Sequence, residues 1–334
     1  MVFIDNEGVI KPQINLALEE YALRNFGDSE DYLLFYVNEP SIIIGRNQNT
    51  LEEINDDYVR NNNIHVVRRM SGGGAVYHDH GNLNFSFITK YKQENLNNFL
   101  KFNEPVIRIL KEMGVPAQMS GRNDILANGK KISGNAQFST GKRMFSHGTL
   151  LFNSDLGEVA NALNVKMSKI QSKGHKSVRS RVSNIIEFLD TNDMELPDFK
   201  QRILDGLYQD RENFETYRLT ENEWRSVHDL KEEKYGNWDW NYGKSPKFNI
   251  QRTKRFPVGE IDLRLDIQKG HIKNLKIYGD FFGQEAVHEV EDILQGVRYE
   301  PEDIAASIKK VDIEDYFGNI EREEFLDLIY GEDD

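Results

Sequence analysis

The sequence predicts an α+β protein with a large mixed or antiparallel sheet in its first domain and a small α+β C-terminal domain. Three observations carry that prediction. Runs of alternating apolar residues recur through the first half, as in Leu83-Asn84-Phe85-Ser86-Phe87-Ile88, the period of a half-buried strand. Asn128-Gly129 separates two such runs, and this dipeptide is a strong hairpin signal because a type I′ turn needs positive φ at both positions. Three segments at helical spacing accompany these strands, an α+β arrangement.

Taken in order, residues 2–4 read as a short strand. Residues 12–26 form a helix whose apolar positions are Ile14, Ala17, Leu18, Tyr21 and Ala22, with Pro12 at its start, where proline is tolerated. Residues 31–37 and 41–44 are strands split by Asn38-Glu39-Pro40. Thr50 caps a helix through residue 60, with Glu53 three positions on as a capping box. Strands follow at 64–67, 75–77 and 83–88. A helix at 95–113 holds Pro105 as a kink or break. The next strand begins at 115, and the hairpin arms are 123–127 and 130–133. Pairing about its turn sets 125–127 opposite 130–132 and brings Asp124 near Ser133 and Lys131. A strand at 143–152 and helices at 155–163, 183–189, 198–209 and 221–234 complete the domain. The aromatic, glycine- and proline-containing stretch from Asn237 to Pro246 ends it, giving domains 1–244 and 245–334. Strands at 248–255, 260–267 and 271–278 and short helical patterns make the second domain.

Composition narrows the function. The chain has 334 residues, enough for two domains, and a net charge of −13, which argues against nucleic acid or an anionic membrane as the main partner. Mean hydropathy is −0.63. No apolar run nears the roughly 20 residues that span a bilayer, and no signal peptide is visible, so the expected location is the cytoplasm. Cysteine is absent, which excludes disulfides, thiolate metal sites and cysteine nucleophiles.

The chemistry centres on Arg68-Arg69-Met70-Ser71-Gly72-Gly73-Gly74-Ala75-Val76-Tyr77-His78-Asp79. Three glycines between strands imply either a backbone shape closed to other residues or a ligand approaching the main chain. Arginine beside donating backbone suits a phosphate. The familiar phosphate loops fail. Gly243-Lys244-Ser245 would end a Walker A loop only with glycine at 238, which is Trp238, and the glycine run lacks the G-x-G-x-x-G spacing. His78-Asp79-His80 offers two histidines on one strand face but no third ligand at matching spacing. Residues 165–182 collect Lys166, Lys169, Lys173, His175, Lys176, Arg179 and Arg181 without an acid, a stretch suited to phosphate or to an acidic partner.

Together these motifs resemble the lipoate–protein ligase A family, in its two-domain bacterial form. The carrying residues are the arginine–glycine motif through Gly81-Asn82, then Gly121-Arg122-Asn123-Asp124-Ile125 and Lys131-Ile132-Ser133-Gly134-Asn135-Ala136. Further support comes from Ile44-Gly45-Arg46-x-Gln48-Asn49, His147-Gly148-Thr149-Leu150-Leu151 and Ser177-Val178-Arg179-Ser180-Arg181-Val182. The resemblance implies a catalytic domain of biotin/lipoate ligase type, a mobile C-terminal domain and two half-reactions. Lipoate and ATP give lipoyl-AMP and pyrophosphate; a lysine of a lipoyl domain of a 2-oxoacid dehydrogenase E2 subunit, or of glycine cleavage H protein, then takes the acyl group.

Lys131 and Asp124 are thereby the expected catalytic residues, with Asp124 a candidate magnesium contact. The expected ATP and lipoyl-adenylate contacts are Arg69, Ser71, Gly72, Gly73, Gly74, Ala75, Val76, Tyr77, His78, Asn82, Asn123, Lys131, Gly134, Ala136, His147, Gly148, Thr149, Ser177, Val178, Arg179 and Arg181. An apolar slot near Val76 and Phe85 would take the dithiolane tail. The expected substrates and cofactors are ATP, Mg2+ and lipoate, and the expected state is a monomer. Alternatives within the resemblance are a cysteine-independent lipoyl amidotransferase, a ligase for an analogue such as octanoate, and a non-catalytic lipoyl-protein binder.

Overall fold

A computed structural model describes residues 1–27, 29–163, 181–190, 193–208, 214–242, 250–268 and 270–330. The described residues fall into two compact units. The first comprises Met1–Ile44, Leu51–Arg68 and Val76–Asn241; the second comprises Gly45–Thr50, Arg69–Ala75 and the described residues from Tyr242 onward.

The first unit begins with β1 (Val2–Asp5), α1 (Pro12–Asn25), β2 (Tyr32–Tyr36) and β3 (Ser41–Ile44). Helix α1 buries more than the apolar stripe read from its spacing: Asn15, Glu19 and Glu20 are buried with Leu16, Ala17, Leu18, Ala22 and Leu23. The single helix expected over 50–60 is two, α2 (Thr50–Glu53) and α3 (Asp56–Asn61). Ile54 leaves the helical path to bridge with Leu163, and the Asn55 side chain accepts a hydrogen bond from the Tyr58 N–H, capping a new helix.

Strands β4 (His65–Arg68), β5 (Val76–His78) and β6 (Asn82–Lys90) follow, then α4 (Phe99–Glu112). Pro105 lies inside α4 without ending it, because Phe102, Val106, Ile109 and Leu110 hold both halves against one core. Strands β7 (Ala117–Ser120), β8 (Asp124–Ala127), β9 (Lys130–Ser139) and β10 (Arg143–Leu151) precede α5 (Leu156–Ala162). The expected helix at 183–189 is only a 3₁₀ turn, Ile185–Phe188. The unit closes with α6 (Leu196–Leu207), β11 (Thr216–Arg218), α7 (Glu221–Leu230), a π turn over Lys231–Tyr235, and α8 (Trp238–Asn241).

Eight strands form one mixed sheet in the order β11-β1-β2-β6-β10-β9-β8-β7, parallel at β11-β1 and β1-β2 and antiparallel elsewhere. A second sheet of this unit has the order β4-β3-β5. Asn128 and Gly129 have φ of 47° and 78°, the type I′ hairpin the sequence predicts. Phe35, Phe85, Met144 and Leu150 pack one face of the large sheet onto α4 and α6. Phe85 is fully buried in that core, so it lines no apolar slot on the opposite face.

The second unit contains an antiparallel sheet of β12 (Ile250–Phe256), β13 (Gly259–Gln268) and β14 (His271–Gly279). Helices α9 (His288–Leu294), α10 (Pro301–Ile308), α11 (Ile313–Phe317) and α12 (Arg322–Tyr330) cover its core, which includes Phe281, Phe317 and Phe325.

Gly148 shows how tightly the large sheet is filled. A Cβ there would stand 2.1 Å from Asn135 Oδ1 and 2.6 Å from Phe85 Cζ. Asn135 cannot swing aside without breaking the bonds its Nδ2 donates to the Asn123 carbonyl and Ser133 Oγ. Gly148→Ala is expected to lower unfolding free energy by about 1–3 kcal/mol, measured by urea denaturation; an unchanged midpoint would show that the sheet relaxes there.

Candidate active site

The β8–β9 ladder places the two expected catalytic residues together. Ala127 pairs with Lys130 and Leu126 with Lys131, but the register slips at Ile125, which pairs with Ser133, so Asp124 faces Gly134. One extra residue therefore sits on β9. In a regular strand, residues three apart point to opposite faces; the bulge turns Lys131 and Gly134 to the same side. The Lys131 side chain lies across Gly134, with Nζ 2.9 Å and Cε 3.0 Å from where a Cβ would stand. Its ammonium reaches Asp124 Oδ1 at 2.8 Å, both side chains being about one-third exposed (33% and 32%).

Neighbouring residues continue the site across the sheet. The Gly134 N–H donates to Thr149 Oγ1 at 3.2 Å. Thr149 stands opposite Asn84 on β6, and Asn84 opposite Tyr36 on β2. Ala136, His147 and Ser86 form the next cross-strand row. His147 Nδ1 lies 3.0 Å from Glu19 Oε1, a pair buried against α1. Asn123 and Asn135 exchange side-chain and backbone hydrogen bonds, fixing the approach to Asp124.

Beyond the end of the β9–β10 pairing, another segment joins β9. The Lys131 N–H donates to the Arg181 carbonyl at 2.7 Å, the Ser183 N–H donates to the Lys131 carbonyl at 3.0 Å, and Val182 bridges in parallel to Lys131. The last arginine of the basic run is thus tied to the backbone of Lys131. Ser177, Val178 and Arg179 lie outside the described residues.

Val76, Tyr77 and His78 stand on β5 in the smaller sheet. Burial, with Asp79 nearby, pushes the Tyr77 hydroxyl well above its ordinary range, so it stays protonated. His78 is 3% exposed, and its Nδ1 meets Asn38 Nδ2 at 3.0 Å; it braces the interior. Asp79 accepts from the Gly81 and Asp155 N–H groups, so it shapes the turn before β6 and secures the start of α5. Asn82, fully buried, donates from Nδ2 to Asn84 Oδ1.

The remaining motif residues belong to the second unit. Arg69 is 6% exposed and wraps its own loop: Nε donates to Ser71 Oγ at 3.0 Å, and Nη2 to the carbonyls of Gly72 and Gly74 at 2.7 and 2.9 Å. The Arg46 N–H donates to the Ser71 carbonyl. A Cβ on Gly72 would meet the Phe281 carbonyl oxygen at 2.4 Å, and one on Gly73, whose φ is +91°, would meet the Phe282 ring at 3.0 Å. Two of the three glycines are therefore required by the chain's own packing in this conformation. Gly74 faces open space.

Sequence reading missed Glu19, Asn84, Ser86, Trp240 and Asn241. Glu19 left one usable signal: it follows Asn15 by four residues, a polar pair on one face of a helix that is otherwise buried. Trp240 and Asn241 bind Arg68 across 172 and 173 residues of chain, which no local spacing reveals.

Residues 11–208 match the family model of the lipoyl protein ligase A/B catalytic domain, and residues 245–329 match that of the bacterial lipoate protein ligase C-terminus. The chain is 56% identical to lipoate-protein ligase LplJ of Bacillus subtilis over 332 residues, covering 99% of this chain and all of that one. It is 49% identical to lipoate–protein ligase 1 of Staphylococcus aureus, over 98% of this chain and all of that one. Among solved structures, P. falciparum LipL1 in complex with lipoate superposes with a TM-score of 0.79 at 27% identity, over 99% of this chain and 98% of that one. The bipartite lipoate protein ligase of Thermoplasma acidophilum, studied with its E2 lipoyl domain, gives 0.64 at 30% identity, over 75% and 98%. A lipoate-protein ligase A bound with ATP gives 0.60 at 29% identity, over 70% and 94%.

Arg69 serves acceptors on Ser71, Gly72 and Gly74 with one planar fork, a geometry an ammonium cannot reproduce. Arg69→Lys is expected to speed amide hydrogen exchange at residues 72–75 while leaving β12, β13 and β14 protected. Equal exchange in variant and parent would show that the loop holds its shape without the guanidinium.

Proposed function

The chain belongs to the lipoate–protein ligase family, and we propose that it attaches lipoate to a specific lysine of acceptor proteins using ATP. The observation that carries this reading is the Lys131–Asp124 ion pair laid over Gly134, with Arg181 bonded to the Lys131 backbone. The relatives' names, and neighbours solved with lipoate and with ATP, support it.

In the first half-reaction the lipoate carboxylate oxygen attacks the α-phosphorus of ATP. A P–O bond forms, the bond to the β-phosphate oxygen breaks, and pyrophosphate leaves. Two anions must approach, so fixed positive charge aimed at the forming bond lowers the barrier. Lys131 supplies that charge, and Asp124 holds its ammonium by Oδ1. Because Gly134 lacks a side chain, the ammonium can lie close to the strand. In the second half-reaction the neutral amine of the acceptor lysine attacks the acyl carbonyl, AMP leaves, and the amine loses a proton as the amide forms. Lys131, placed between acyl carbonyl and α-phosphate, would stabilise charge in both steps.

Gly74 and Ala75 offer backbone to the ligand on this reading, with Arg69 shaping their loop. Ser177, Val178, Arg179 and Arg181 would contact the adenylate, and residues 1–244 and 245–334 act as catalytic and accessory domains. Magnesium fits as the ATP complex. Among the described residues no group of three His, Cys, Asp or Glu could hold a metal, and Mg2+ commonly relies on phosphates, water and one or two carboxylates, here Asp124. The acceptors are lipoyl domains of 2-oxoacid dehydrogenase E2 subunits and glycine cleavage H protein; the Thermoplasma ligase was solved in a study with its E2 lipoyl domain. We assign the protein to the cytoplasm as a monomer. No described helix is long and apolar enough to cross a membrane.

Mass spectrometry of an E2 lipoyl domain and of H protein, each incubated with lipoate and Mg2+, tests the reaction: a lipoyl adduct should form only when ATP is present. An adduct formed from a lipoylated donor without ATP would assign the chain as an amidotransferase instead. Lys131→Ala should abolish lipoate-dependent ATP–pyrophosphate exchange while unfolding free energy changes by no more than about 1 kcal/mol, since the lost ion pair is partly exposed. Retained exchange in a folded Lys131→Ala protein would remove Lys131 from the mechanism.

A further inference from the structure

Arg68 is not among the expected ligand contacts, yet it precedes the first residue of the glycine loop. Trp240 and Asn241 both hydrogen-bond to it. Its N–H donates to Asn241 Oδ1 at 2.9 Å, Nε donates to the Trp240 carbonyl at 2.9 Å, and Nη2 donates to the Asn241 carbonyl at 3.3 Å. Trp240 Nε1 donates back to the Arg68 carbonyl at 2.8 Å. Both sides of the clasp are fixed in their turn. Asn241 Nδ2 donates to the Tyr235 carbonyl, and the Lys234 ammonium lies 4.3 Å from the Trp240 ring centroid while binding Glu20 Oε2 at 2.7 Å.

The indole bond is the informative one. The Arg68 carbonyl belongs to the same planar peptide unit as the Arg69 nitrogen. Fixing that carbonyl fixes the plane in which the chain leaves β4 and enters the loop. Arg69 then folds its guanidinium back onto Gly72 and Gly74, so an error in the plane at 68–69 is carried into the loop. Trp240 and Asn241 also lie beyond residue 208, where the match to the catalytic-domain model ends. Both come from the last helix of the first unit.

We infer that Trp240 and Asn241 are positioning residues for the glycine loop: they act through Arg68 and set ligand affinity without touching ligand. This rests on the reading that the loop binds ATP or the acyl-adenylate. Losing one buried bond from this clasp should raise KM about tenfold and leave kcat within about twofold, because Lys131 and Asp124 stand on other strands.

The test uses the full chain. Trp240→Phe removes the Nε1 donor and keeps a ring beside Lys234. Asn241→Ala removes the acceptor for the Arg68 N–H, and Asn241→Asp restores it while losing the Nδ2 donor to the Tyr235 carbonyl. The expected result is a raised KM for ATP or lipoate in Trp240→Phe and Asn241→Ala, partial rescue in Asn241→Asp, and faster amide exchange at residues 72–75 in Trp240→Phe and Asn241→Ala. Unchanged KM and unchanged exchange at those amides, whatever happens to the melting temperature, would overturn the inference and leave the clasp a purely structural contact. Absence of lipoate-dependent ATP–pyrophosphate exchange in the parent protein would instead overturn the proposed function, while the amide-exchange comparison would still judge the clasp.

Discussion

The site depends on a one-residue slip in the β8–β9 ladder. Counted from the Asn128-Gly129 turn, an unbroken ladder would set Asp124 opposite Ser133. The slip at Ile125 sets it opposite Gly134 instead. That exchange decides what the Lys131 side chain lies against. A serine side chain on that face would compete for the space that the Lys131 methylenes fill, whereas glycine leaves it open. The extra residue also brings Lys131 and Gly134 to one face, which strand alternation alone forbids. Only with both effects does an ammonium lie along the strand and meet the carboxylate of the neighbouring strand at 2.8 Å.

The paired arginines divide their work. Arg68 is held by the last helix of the first unit, and Arg69 by the carbonyls and hydroxyl of its own loop. Neither is a loose cation waiting in a cleft. Desolvating a guanidinium is costly unless its donors are matched, and each arginine meets that requirement by organising backbone. The glycines between them and β5 follow the same logic. Gly72 and Gly73 admit the Phe281 carbonyl and the Phe282 ring, and Gly74 alone leaves main chain facing open space.

Much of the fold was legible because its signals are local. The type I′ hairpin, the strand alternation of β6 and the proline start of α1 each depend on a few adjacent residues. Where the reading differed, a distant partner intervened. Leu163 draws Ile54 out of a helix that its own segment would continue. The core under α4 holds a helix together through Pro105. An apolar slot was expected near Phe85, but the strand register turns that ring into the core and leaves Asn84 and Ser86 on the other face.

The sequence by itself determined the family, the absence of cysteine chemistry and the identity of the Lys131–Asp124 pair, because motif order and composition survive without coordinates. Its hairpin turn even placed the two residues near each other. The tertiary structure decided what the described motif residues touch. His78 and Asp79, four and five residues beyond Gly74, brace the interior and a turn, while Glu19 and Asn84, outside every motif, stand beside His147 and Thr149. The physical reason is that a side chain's face is set by strand register and its partners by sheet order. Both are properties of pairings between segments up to 213 residues apart, as Phe3 and Thr216 are, and no single segment encodes them.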